Sequence, residues 1–167
     1  RAVCGDDKIW EETKDIDVPW GELDTGSVIF TMPVEYLKQI TDFESVKKKF
    51  DIISDTIFDF INAKQVKPFR IIFDVQLVED SPSRGYPLFF LIENIDDIIF
   101  KNDQPNQELF KLASLFAFYL IRDNVLDSQT ENAISFVAAS IVFQKLYPGF
   151  DPLQFTDIQM PLVFAEL

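Results

Sequence analysis

The chain has no histidine, and its only cysteine is Cys4. The first absence removes catalysis by a histidine base, by a histidine-containing triad or by a histidine-ligated metal. The second rules out an internal disulfide and makes a thiolate metal site untenable. Cations are scarce as well: 15 Lys and Arg stand against 28 Asp and Glu, giving a formal net charge of −13. Such a surface repels phosphate backbones, so no nucleic-acid partner is expected, and docking on anionic membranes is disfavoured. No apolar run reaches the roughly 18 residues needed to span a bilayer, so no transmembrane segment is expected. No signal peptide is visible, and no N-x-Ser/Thr acceptor occurs. The expectation is a soluble, processed or truncated piece with no compartment signal.

At 47% hydrophobic with 18 Phe, the 167 residues suffice for one real core. Residues 1–26 are polar and turn-rich, with Trp10 and Trp20, and read as an irregular lead-in. "SVIFTMP" (27–33) reads as a strand whose closing Pro33 suits a first helical turn. A helical pattern runs over Val34–Ala63, restarted by Thr41-Asp42 as a second N-cap. Asp51, Asp55 and Asp59 make an acidic stripe, read as a solvated face. "KPFRIIFDVQLVE" (67–79) alternates as a half-buried strand, "DSPSRGYP" (80–87) is a turn, and "LFFLIEN" (88–94) is another strand. "IDDIIF" (95–100) extends or follows it. Helices are expected over about 105–122 and 130–146, the second capped by Thr130, with "YPGFDP" (147–152) as the stop. The tail reads as a helix cut short. The order implies one α+β domain over 27–167 behind the 1–26 segment.

The helix "QELFKLASLFAFYLI" (107–121) is apolar nearly all round. At 100° per residue, Gln107, Lys111 and Ser114 fall within about 60° of one another, with Glu108 beside them. With histidine at 107 and 111 this would be the H-E-x-x-H zinc-protease helix. As it stands, the plain reading is a core helix whose narrow polar seam faces water. The next helix also opens on polar residues, Glu131, Asn132 and Ser135. Two polar first turns set side by side are the geometry of gluzincin zinc sites.

Four blocks in order, covering nearly the whole chain, carry a resemblance. "VPWGELDTGSVIFTMP" (18–33) resembles the "PWAELE…NIILTVP" opening of the enhancin-like, mucin-degrading zinc metallopeptidases, the M-60-type family that also includes animal TRP-channel-associated factors. "RIIFDVQLVEDSPSRGYPLFF" (70–90) resembles that family's strand pair ending in Gly-Tyr-Pro. "NQELFKL" falls where the family has "HELGHN", and "TENAISFVAASIVFQKL" (130–146) where it has "TEVTNNIFSLYV". "DPLQFTDIQMPLVFAEL" resembles the start of its next helix. The resemblance implies a gluzincin-like fold, a small sheet followed by the two-helix zinc-site region. It maps the zinc ligands onto Gln107, Lys111 and Glu131 and the general base onto Glu108. It makes Gly85, Tyr86 and Pro87 a possible cleft rim, although that turn needs no more than its Gly and Pro to set hairpin register.

The departure is in the chemistry. Gln107 is a poor neutral ligand, and the Lys111 ammonium would stand where a dication binds. Pro82-Ser83-Arg84 also replaces the family's histidine before Gly-Tyr-Pro. The expectation is therefore a fold kept without its zinc, with no cofactor, no active catalytic residue, and Lys111 neutralising Glu108 and Glu131. Glu108 and Glu131 are not expected to act as a glycosidase pair, since packing two glutamates together does not make a cleft with a defined separation. The leading expectation for function is a catalytically inactive metallopeptidase-like module that binds a protein or a glycan. The alternatives are a structural subunit of a larger assembly and an active zinc (glyco)peptidase with non-standard ligands. Whether Trp10, Trp20, Tyr86 and Tyr147 line a groove separates binding from a structural role.

Overall fold

The computed structural model describes residues 1–77, 86–101, 103–121 and 126–155, apart from the side chains of Asp7 and Ser128. It is α+β, with a small mixed sheet of five strands and helices packed on it. The strands are β1 (Ala2–Val3), β2 (Trp20–Asp24), β3 (Val28–Pro33), β4 (Phe69–Asp74) and β5 (Leu88–Leu91), ordered β1-β2-β3-β4-β5 across the sheet. Only β2 and β3 run antiparallel; the other neighbours are parallel. The helices are α1 (Asp7–Thr13), α2 (Val34–Leu37), α3 (Phe43–Phe60), α4 (Gln107–Ile121) and α5 (Ser128–Leu146).

The N-terminal segment is not irregular: it holds β1, α1 and β2. β2 hides in the sequence because Leu23 is its one buried residue. Its polar side chains serve ion pairs instead. Glu22 accepts from the Arg70 guanidinium at 2.9 Å, and Asp24 pairs with Arg1. The β2–β3 turn is built by Thr25, whose hydroxyl donates to the Val28 carbonyl and accepts from the Val28 amide. Gly26 supplies the left-handed φ of 90° that this turn requires.

The expected interruption of the Val34–Ala63 pattern is present. The Asp42 carboxylate accepts from the Ser45 amide and caps α3. α3 carries the chain from β3 to its parallel neighbour β4. On that strand Phe69, Ile71 and Phe73 point inward. Phe30 meets Phe50 of α3 edge-on at 4.6 Å and stacks on Phe73 at 6.1 Å. Residues 95–100 do not extend β5. A 3₁₀ turn (Ile92–Asn94) leads into a π-helical turn (Asp96–Phe100) that buries Ile98 and Ile99.

The cap of α5 is Asp127, not Thr130. The Asp127 carboxylate accepts from the Gln129 and Thr130 amides and from the Thr130 hydroxyl. These bonds hold its pKa below the usual value. Asp51 pairs with Lys47, while Asp55 and Asp59 are exposed, as a solvated stripe requires. The expected closing helix lies mostly outside the described residues, as do Pro82, Ser83, Arg84 and Gly85.

Candidate functional site

α4 opens on Asn106. Its side-chain oxygen accepts from the Leu109 amide, and its amide group donates to the Asp97 carbonyl at 2.8 Å. One residue thus caps α4 and ties it to the π-helical turn. Along the seam, Gln107 is exposed, Glu108 and Lys111 are half-buried, and Ser114 is buried. The Lys111 ammonium stands 3.8 Å from the Glu108 carboxylate, with their side chains 12% and 22% exposed. Glu108 also accepts from the Asn94 amide group at 3.1 Å. The seam is therefore not a strip facing open water. It is a shielded ion pair closed by the turn that follows β5. Among the described residues, the buried Ser114 hydroxyl has no hydrogen-bond partner.

Glu131 is buried at 8% exposure, but the fold does not set it beside Glu108. The short α4–α5 connection makes the helices antiparallel. Phe110, near the start of α4, accordingly meets Phe143, near the end of α5, at 5.0 Å. The first turn of α5 thus lies along the last turn of α4. At 1.5 Å per residue, Glu131 is displaced from Glu108 along the hairpin by on the order of 15 Å. The two polar first turns occupy opposite ends of the hairpin.

As placed here, Gln107, Lys111 and Glu131 do not fit a zinc site. One position is a cation already paired with the candidate base, and another is displaced along the hairpin by on the order of 15 Å. Among the described residues, no group of three or more His, Cys, Asp or Glu side chains is arranged to hold a metal ion.

Tyr86 and Pro87, joined by a cis peptide, lie at the start of β5, at the other end of that strand from Asn94. The Tyr86 ring packs with Phe69 at 5.5 Å and with Tyr119 at 5.6 Å, near the end of α4. Its hydroxyl donates to the Pro68 carbonyl at 3.3 Å, and burial raises its pKa. The proposed cleft rim and the Glu108 turn are thus at opposite ends of α4. Of the other aromatic candidates, Trp10 is half-buried edge-on to Phe43 at 5.9 Å, and Tyr147 is half-buried against Phe143. Trp20 is 37% exposed at one end of β2.

Sequence reasoning passed over Lys49. It lies 6% exposed on the inner face of α3 and donates to the Ile98 and Ile99 carbonyls of the π-helical turn at 2.7 and 3.1 Å. Burial pushes its pKa down to about 7. The signal was present: position 49 falls within about 60° of Val46 and Ile53 on the helix, inside the apolar stripe. The run Lys47-Lys48-Lys49 concealed it, because such a run reads as solvated.

No helix among the described residues is long and apolar enough to cross a membrane. No family model matches the chain, and no solved structure matches it. Curated proteins do. TRPM8 channel-associated factor 2 of Bos taurus is 33% identical over 85 residues, covering 48% of this chain and 9% of that protein. Its Homo sapiens counterpart is 33% identical over 89 residues, 51% of this chain and 10% of that protein. TRPM8 channel-associated factor 1 of Homo sapiens is 27% identical over 101 residues, 59% of this chain and 10% of that protein. The match thus spans about a tenth of the length of these relatives. Over about half its own length, the chain is similar to a segment of the TRPM8 channel-associated factors.

Proposed function

We propose that this chain is an enhancin-type, gluzincin-like domain that has lost catalytic metal and works as a protein-interaction module. The observation that carries the reading is the Lys111–Glu108 pair. A carboxylate at the general-base position is held by a neighbouring ammonium and by the Asn94 amide. An ammonium there repels a dication and cannot generate the metal hydroxide on which such a peptidase depends. A protein is favoured as the partner because the relatives bear the name of channel-associated factors. In this reading the polar seam is a structural remnant, and the working surface lies elsewhere.

The test is direct. The purified protein is equilibrated with zinc, desalted and analysed for metal, alongside a calorimetric titration with zinc. The expected result is substoichiometric zinc and no saturable heat. One bound zinc per chain, lost on Glu108→Gln or Glu131→Gln substitution, would overturn the reading.

A further inference from the structure

At the far end of α4 from the ion pair, Phe58, Val66, Pro68, Phe69, Tyr86 and Tyr119 line a pocket of about 230 Å³. It is smaller than the roughly 300–1,000 Å³ of pockets that take drug-sized ligands, and fits one bulky side chain. The floor is rigid. Phe69 stacks on Phe116 at 4.1 Å and is edge-on to Tyr119 at 5.5 Å. Among the described residues the lip is open at Val66, which is 95% exposed.

The segment that supplies half of this lining departs in charge from the rest of the chain. Residues 63–73 hold Lys64, Lys67 and Arg70 and no carboxylate, in a protein of net charge −13. Arg70 is paired with Glu22. The Lys67 ammonium lies over the Tyr86 ring, 5.4 Å from its centroid, at the pocket edge. Lys64 and Lys67 are both exposed. An apolar hole with a cationic border complements an apolar side chain flanked by carboxylates. A sugar would need several convergent polar groups. Here the lining is mostly apolar, and the Tyr86 hydroxyl already donates to the Pro68 carbonyl.

We propose that this pocket docks a Phe or Leu side chain presented by an acidic, extended segment of a partner protein. The proposal rests on the interaction-module reading and gives that module its surface. The packed aromatic floor supplies the contact area, and Lys67 at the pocket edge selects the flanking charge.

The experiment is an amide NMR titration of the whole chain with the peptide N-acetyl-Asp-Glu-Phe-Glu-Asp-amide. A Phe→Ala version, a version with lysine flanks, and N-acetyllactosamine are run in parallel. The acidic Phe peptide is expected to shift the amides of Val66, Lys67, Phe69, Tyr86 and Tyr119. The alanine peptide and the sugar should leave them in place, and the lysine-flanked peptide should bind at least about tenfold more weakly. Lys67→Glu changes an exposed side chain, keeps the fold, and should reverse the flank preference. Shifts confined to other regions, an equal response to the alanine peptide or the sugar, or equal affinity for both flanks would overturn the proposal. Metal analysis of the same sample keeps the two claims apart. Zinc-free protein that ignores the peptide refutes the pocket alone, whereas stoichiometric zinc refutes the metal-free reading.

Discussion

Replacing Lys49 by methionine should change how stability depends on pH more than it changes any contact visible from outside. In the folded chain the Lys49 ammonium is buried, and its pKa falls from 10.5 to about 7. Between those values the unfolded chain holds a proton that the folded chain has released. Stability therefore rises with pH across this window, and the full penalty is present below about pH 7. At 1.36 kcal/mol per pH unit, the whole gap corresponds to about 4–5 kcal/mol. The part relieved between about pH 7 and pH 9 is about 2 kcal/mol. For a domain of this size that is a shift of roughly 4–8 °C in Tm. The upper bound of the window is chosen because the Cys4 thiol, ordinarily at 9.0, is raised to about 11 by burial and pulls the other way above that pH. The Lys49→Met protein loses two donors to the Ile98 and Ile99 carbonyls, which lowers its stability by an amount that does not vary with pH. Urea unfolding of both proteins at several pH values over this range, followed by circular dichroism, isolates the slope from that offset. Parallel curves for the two proteins would refute the argument.

Three further substitutions test other parts of the structure. Lys111→Ala should destabilise the fold by about 1–3 kcal/mol, because it leaves Glu108 shielded without its cation, while Lys38→Ala at an exposed site should cost under about 0.5 kcal/mol; equal melting temperatures would sink the claim. Asp127→Ala should cost about 1 kcal/mol through loss of the α5 cap, and Thr130→Ala less, since Thr130 is the capped residue; thermal melts that rank the pair the other way would contradict the assignment. Gly21→Ala places a Cβ 2.7 Å from the Leu37 side chain and should cost about 1–3 kcal/mol, reported by the midpoint of urea unfolding; an unchanged midpoint would mean that α2 sits further from β2.

The parts of the fold legible in the sequence were those with one dominant period. The alternation of Ile71 and Phe73 marked β4, although the strand stops at Asp74 and Val75, expected on the same inward face, is exposed; Asp42 marked the start of α3. β2 was not legible, because its cross-strand ion pairs need partners 48 and 23 residues distant, Arg70 and Arg1. The cap of α5 was misplaced by three residues because Asp127 and Thr130 are both good caps, and only the geometry shows which one accepts the amides. The polar seam of α4 was legible as a pattern, and its Lys111–Glu108 pairing followed from i, i+3 spacing. Its relation to Glu131 was not. Two helix starts joined by a short connection point to opposite ends of a hairpin, and that is a fact of topology rather than of either segment.

The rings beyond α5 bear on where this domain can be divided. Phe150 packs on Phe110 at 6.0 Å and on Phe143 at 5.1 Å, and Phe155 meets the same two rings at 5.4 and 6.1 Å. By secondary structure alone, the natural cut falls at Leu146. A chain stopped there would present Phe110 and Phe143 as an open greasy face, prone to self-association. The turn after α5 is therefore a lid on the helical hairpin, and a recombinant piece of this protein must run past Phe155 to keep those two rings covered.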